Sequence, residues 1–430
     1  MRKQQWLSIA SVAMAVCFSV LLYGCGSRAS DNTSADSNVT VRMWAFPMLP
    51  ELRDHKLYDE LVAGFEKSNP GVKVKVEMLP WAGRAQKMLT AIAGNRAPDA
   101  VYLNLDYMPR FVDQGVLEPM DDYISAEEKA DYPPEVLDAV TIDGKMWLLP
   151  LLRNPNIGIF NSKLLREAGF DPADPPRTWE QVDKAVRAMT RDTDGDGAVD
   201  QWGVGFIFGA ETVNSTFWPL LWQAGGDVLT TDGKRAAFDG PEGEEALTLV
   251  VNWFRDGIIP KSFIAMGASE FAMGRLGYLY GGGPNEATNL LRDAPDIPLT
   301  VGPVLEHRAR VSYSTIGSYA LFKQSKHKKE TAAWLRYMTS PEVMARFCKE
   351  TKYVPTKISV GSIYADDPIF HVFEREAAFC RPDVKSVFAR QIMMHLAPEM
   401  QAAALGKKSP REALDAAAKA VNEMLDRANK

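Results

Sequence analysis

The stretch FEKSNPGVKVKVE, residues 65–77, changes its period in the middle. Upstream, in LYDELVAGFEKSN (57–69), apolar residues recur at helical spacing. Pro70 and Gly71 stop that helix: proline lacks the amide that a helix needs, and glycine accepts the backbone angles that end one. Downstream, VKVKVEMLP (72–80) alternates apolar and polar residues, the two-residue period of a strand. A helix that turns directly into a strand is half of a β-α-β unit, and the flanks supply the rest. VTVRMWAF (39–46) alternates in the same way, and RAQKMLTAIAGN (84–95) is a helix closed by Gly-Asn. PDAVYLNL (98–105) is a mostly apolar strand, as expected when both faces of a sheet are covered. MPRFVDQGVLEPM (108–120) reads as a short helix and turn. The order β-α-β-α-β-α predicts a parallel, layered α/β sheet.

After DGKMWLLPLL (143–152) the pattern resumes with new content. NIGIFNSKLLREAGFD (156–171) gives a strand and a helix, and TWEQVDKAVRAMTRDT (178–193) a helix with Thr178 as cap and Gln181 completing a capping box. WGVGFIF (202–208) is a strand, and TFWPLLWQAGG (216–226) and PEGEEALTLVVNWFRDG (241–257) are helices ended by glycine. RLGYLYGGG (275–283) is a strand running into a glycine loop, SYSTIGSYALFKQ (312–324) another strand, and KKETAAWLRYMTS (328–340) a helix. The chain closes on a long amphipathic helix from Ser409, with Pro410 at its first position. No fixed-period repeat is present, and two α/β lobes fit better than one large sheet.

At 430 residues the chain has room for two domains. The 49 basic and 55 acidic residues leave a net charge of −6, which argues against nucleic acid as a partner. The N-terminus MRKQQ is short and basic, and WLSIASVAMAVCFSVLLYGC (6–25) is apolar and free of charge, the two regions of an export signal. Leu22-Tyr23-Gly24-Cys25 resembles a bacterial lipobox. That resemblance implies a signal peptide over residues 1–24, cleavage before Cys25, and a lipid on its thiol that anchors the protein to the outer side of the cell membrane. GSRASDNTSADSN (26–38) has no apolar periodicity, so residues 25–37 read as a flexible tether. Cys348 and Cys380 then remain, either paired in a disulfide or as two buried free thiols.

Five stretches in order resemble the family-1 extracellular solute-binding proteins, the sugar-binding subunits of ABC importers. They are FEKSNPGVKVKVE; TAIAGNRAPDAVYLN (90–104); the run from DGKMWLLP (143–150) through FNSKLLREAGFD to RTWEQ; FWPLLWQAGGDVLTTDGKRAAFDGPEGEEAL (217–247); and GSYALFKQSKHKKETAAWLRYMTSPEV (317–343). The resemblance implies a periplasmic-binding-protein-like α/β fold: two lobes, a ligand cleft between them, and three crossovers, near residues 152–157, 304–310 and 353–356. The first lobe would hold residues 38–153 and 308–354, the second 154–307 and 355–430. It also implies a monomer that captures a carbohydrate, delivers it to permease subunits of an ABC transporter, and catalyses nothing.

In open α/β sheets ligands sit beyond the carboxyl ends of the strands. In the first lobe that rule selects Trp44 and Phe46, Trp81, and Asn104, Asp106 and Tyr107. In the second it selects Asn214, Ser215 and Trp218, then Gly283 and Asn285; Arg153 and Asn154 lie at the first crossover. Aromatic rings stack on the apolar face of a pyranose, and Asp, Asn and Arg bond pairs of its hydroxyls. Trp218 and Trp222 also fit a helix core, because they alternate with leucine. Asn285 stands where family members often carry an aromatic, so stacking from the second lobe is expected either to be weaker or to come from Trp147 or Tyr280.

DTDGDGAVDQWG (192–203) matches the first half of an EF-hand loop, with Asp192, Asp194, Asp196, the Ala198 carbonyl and Asp200 as candidate ligands and Gly197 at the turn. Gly203 replaces the bidentate glutamate. The readings are a structural calcium ion or an Asp-Gly turn region held by its own side chains; no other cofactor is required. A secreted glycoside hydrolase would need two carboxylates flanking a cleft, and no pattern among Asp99, Asp106 and Glu211 singles out such a pair. A non-transport envelope lipoprotein would not need aromatic and amide residues gathered at strand ends.

Overall fold

The structure, a computed structural model, describes residues 39–49, 53–260 and 268–428. The expected leader (1–24), the lipidation site Cys25 and the tether lie outside the described residues. The strands are β1 (Val39–Ala45), β2 (Val72–Met78), β3 (Ala100–Asn104), β4 (Thr141–Ile142), β5 (Lys145–Met146), β6 (Leu148–Asn156), β7 (Ile159–Asn161), β8 (Trp202–Gly205), β9 (Leu276–Leu279), β10 (Leu299–Val301), β11 (Ser312–Leu321), β12 (Val354–Pro355) and β13 (Cys380–Arg381). β1, β2 and β3 pair in parallel, with Val39 opposite Val72 and Met43 opposite Ala100, as the β-α-β reading requires. At the free edge, β2 turns Lys73 and Lys75 outward; charged edge residues discourage strand addition.

The first sheet runs β12-β6-β11-β3-β1-β2, with β13 beside β11, and the second runs β10-β7-β9-β8. Each has its own apolar core. One gathers Phe111, Tyr319 and Trp334; the other gathers Phe160, Trp218, Trp253 and Val421. Two lobes result, and β6 and β11 run from one to the other as an antiparallel pair. Leu148, Leu149, Leu151 and Leu152 pack in the first core and Ile157 in the second; Tyr313 packs in the second core and Ile316 and Tyr319 in the first. Val354 of β12 lies opposite Arg153 and makes the third passage. Residues 304–310 do not cross: Val304 and Leu305 pack in the second core, and Arg308 donates to the Ala224 carbonyl at 2.6 Å. The second passage instead lies within β11, between Tyr313 and Ile316.

Gly317 occupies an irregularity in the β11–β6 pairing. A Cβ there would stand 1.8 Å from the Tyr102 hydroxyl oxygen, so only glycine lets β11 lie over that ring. The capping box at Thr178 and Gln181 is formed, and Ser409 exchanges hydrogen bonds with Glu412 at the start of the last helix. The helix Ala389–Ala404 was not legible from sequence, because Pro398 in its interior reads as a break.

The disulfide is absent. Both thiols are free: Cys348 is buried in the first core and Cys380 in the second. Each donates weakly to a backbone carbonyl, Cys348 to Leu151 and Cys380 to Glu376.

Candidate functional site

β6 and β11 form the floor of a cleft walled by both lobes. Side chains alternate along a strand, so Leu152, Asn154 and Asn156 face one side and Arg153 the other. Asn154 stands opposite Thr315, and Asn156 opposite Tyr313. Over this floor lie two cavities of about 380 and 190 Å³, which share Arg84, Asn104, Asn154 and Thr315 in their walls. Trp81, Tyr102 and Tyr353 line the larger one, together with Asn285 from the second lobe. Asp106, Glu211, Asn214, Ser215, Tyr313 and Arg390 line the smaller one.

Of the residues selected from sequence, the cleft brings together Trp81, Asn104, Asp106, Asn154, Asn214, Ser215 and Asn285. The others lie elsewhere. Phe46 is buried beneath Trp81, stacked at 4.8 Å between centroids; it supports that half-buried ring. Trp44 is buried, with its indole N–H on Glu77 at 2.9 Å and Lys87 over its ring. Trp218 is 1% exposed inside the second core, where a helix alternating Trp and Leu is covered on every side. Arg153, on the far face of β6, donates to the Ala377 carbonyl at 2.5 Å and pairs with Glu135 at 3.5 Å. Gly283 caps the helix Pro284–Asp293, and a Cβ on it would stand 2.9 Å from Asn154 Oδ1, so its bareness admits the floor strand. Tyr107 lies beside the cleft under the guanidinium groups of Arg84 and Arg390. The two proposed substitutes for a second-lobe aromatic are absent from the cavity walls; Tyr280 is 6% exposed.

The electrostatics center on Asp106. Arg390 of the second lobe bonds both Asp106 and Glu211. Burial pushes the Asp106 carboxyl up, and the Arg390 charge draws it back. Among the described residues, Asp106 Oδ1 and Asn154 Oδ1 are buried acceptors with no partner. Unmet buried acceptors are costly, and a ligand that brings hydroxyl donors would satisfy both. Arg84 reaches over Trp81 at 5.0 Å, placing a second cation at the cavity wall.

Sequence reasoning missed Arg84, Arg390 and Asp383. Arg84 lies three residues beyond Trp81, and that proximity was the available signal. Arg390 comes from the helix interrupted by Pro398. Asp383 sits behind the cleft, where its Oδ2 accepts from Asn214 at 2.7 Å. Burial, then the charge of Asp106, pushes its carboxyl up to about 6.

In the aspartate loop, Asp192, Asp194 and Asp196 bring carboxylate oxygens within 4.8 Å of one another, all exposed. Among the candidate aspartates, Asp200 does not join them. Asp200 turns to Thr193, and Ala198 donates its amide to Asp196 at 2.7 Å. Asp192 accepts the amides of Gly195 and Gly197. The loop is thus a set of side-chain-to-backbone turns, which assemble three of the four candidate aspartates.

The model of the bacterial extracellular solute-binding proteins matches residues 50–345. A putative binding protein of Brucella abortus is 26% identical over 375 residues, 84% of this chain and 88% of that one. A maltotriose-binding protein of Pyrococcus abyssi is 22% identical over 327 residues, 74% of this chain and 68% of its own. In structure, the cyclic α-maltosyl-1,6-maltose binding protein of Arthrobacter globiformis superposes with a TM-score of 0.79 at 25% identity, over 90% of this chain and 99% of the other. The family model covers more than half of the sequence, and the two-lobed fold with its floor of paired strands agrees with it: the chain belongs to the bacterial extracellular solute-binding protein family.

Proposed function

We propose that the protein captures a sugar or oligosaccharide between its lobes and delivers it unaltered to the permease of an ABC transporter. The observation that carries this reading is a pair of buried acceptors without a partner among the described residues, Asn154 Oδ1 in the cavity that Trp81 also lines and Asp106 Oδ1 in the adjoining one. Hydroxyls on a ring with an apolar face match that set. Charge-assisted hydrogen bonds are worth about 1.5–3 kcal/mol each in a dry site, and a few of them with stacking suit micromolar binding, about −8 kcal/mol. A ligand touching both lobes favors the closed form by its differential affinity. Similar proteins named for maltotriose and galactooligosaccharide support the ligand class.

The lobes are proposed as residues 38–153 with 308–354 and 154–307 with 355–430; the course of β11 favors moving the 308 boundary into 312–316. The anchor is proposed at Cys25, outside the described residues, and radiolabeled palmitate lost in Cys25→Ser would test it. Among the described residues no helix is long and apolar enough to cross a membrane. The protein is read as a monomer, without a cofactor and without catalysis. A calcium ion at Asp192, Asp194 and Asp196 would pin that loop without touching the ligand, and a melting temperature unmoved by chelator would remove it from the account. The deciding experiment is thermal shift against a sugar panel with product analysis. A binder raises the melting temperature and returns its sugar intact; turnover of any panel member would overturn the reading.

A further inference from the structure

Asp383 stands directly behind the cleft wall, and the residue is 8% exposed. Its Oδ2 accepts Asn214 Nδ2–H at 2.7 Å and faces the Tyr313 hydroxyl at 3.4 Å, while Oδ1 accepts the Val384 amide at 2.8 Å. The same Asn214 nitrogen donates to the Tyr313 hydroxyl oxygen at 3.1 Å. An ionized carboxylate only accepts hydrogen bonds, so the Asn214 amide must turn its nitrogen toward Asp383. Both hydrogens on that nitrogen are then engaged, and Oδ1 is the atom left for the cavity.

We propose that Asp383 is a positioning residue of the ligand site: it holds Asn214 as a hydrogen-bond acceptor toward a ligand hydroxyl, and it releases that orientation when it takes a proton. The identity of the group that Asn214 meets rests on the carbohydrate reading; the orientation does not.

Among the described residues, the cations near Asp383 pair with other carboxylates. Arg381 pairs with Asp227 at 3.1 Å, Lys385 with Asp138 at 2.7 Å, and Arg390 with Asp106 and Glu211. From the helix Pro134–Ala139, Glu135 faces Arg153. Asp106 repels the charge, and with burial it pushes the carboxyl up to about 6. Once protonated, Asp383 carries a donor. Its O–H can meet Asn214 Oδ1, the amide can turn over, and the cavity then presents N–H where it had presented oxygen. A ligand hydroxyl that donated to the oxygen would then have to accept from the N–H, so the group the site asks for changes its role.

The test is a side-chain amide NMR titration of the ligand-free protein labeled with 15N-asparagine. The Asn214 Nδ2 pair is identified by its loss in Asn214→Asp. Its resonances should move between pH 7.5 and 4.5 on one curve with a midpoint near 6, and stay flat in Asp383→Asn. Tyr313→Phe, which keeps the carboxylate, should retain the titration and serves if Asp383→Asn does not fold. A flat wild-type pair, or one that titrates equally in Asp383→Asn, overturns the inference. No sugar is present, so that failure leaves the carbohydrate reading standing; a sugar panel without a binder would sink that reading alone.

Discussion

Arg390, on a helix of the second lobe, is hydrogen-bonded to Asp106 at the end of a first-lobe strand, so one ion pair spans the cleft. Arg390→Met keeps the bulk of the side chain and leaves Asp106 buried without its counter-charge. The expected loss is about 1.5–3 kcal/mol of stability, together with a larger radius of gyration for the ligand-free protein in small-angle scattering. An unchanged melting curve and scattering profile would mean that the pair does not hold the lobes.

Trp81 and Trp218 should separate binding from folding. Trp81 is half-buried at the cavity wall and Trp218 is inside the core. Trp81→Ala should weaken the best sugar of the panel by about 10- to 100-fold, the equivalent of about 1.4–2.8 kcal/mol. Trp218→Ala should cost about 3–5 kcal/mol of stability. Calorimetry and chemical denaturation on both variants check the division.

The Asp383 carboxyl, with a folded pKa of about 6, lies above its ordinary value of 3.8. The folded state therefore holds the proton more tightly, and the ionized group costs stability above pH 6. That cost is relieved as pH falls through 6 and is gone below the ordinary value. It amounts to about 3 kcal/mol at the outside. Wild type should gain melting temperature relative to Asp383→Asn as pH falls from 7.5 to 5. Parallel curves for the two proteins would contradict the burial argument.

Gly317→Ala forces a methyl into the Tyr102 ring, with Leu152 also within 2.9 Å. Overpacking of this kind costs about 1–3 kcal/mol or more. Because β11 is a passage between the lobes, ligand affinity should fall along with the melting temperature, and differential scanning calorimetry with sugar titration reads both.

Burial pushes the Cys380 thiol up to about 12 and the Cys348 thiol higher still. A protein lacking residues 1–25 should show no iodoacetamide labeling when native and two labeled sites when unfolded without reductant. A disulfide-linked peptide in the digest would contradict the two free thiols.

The local part of this molecule was legible in the sequence because local patterns carry local physics. The change of period at Pro70-Gly71 announced a β-α-β unit, Thr178 and Gln181 announced a capped helix, and strand ends pointed to Trp81, Asn104, Asp106 and Asn214. These depend on spacing along the chain and on which faces a sheet must cover. What faces what depends on three dimensions. Only the tertiary structure decided that Arg153 turns away from the cleft while Asn154 turns in, since that follows from the register of β6 on β11. It also separated Cys348 from Cys380 by placing each in a different core, and it carried Arg390 and Asp383 to a site more than a hundred residues away in sequence. Long-range pairing is set by the joint packing of two cores, which no short stretch of residues encodes by itself.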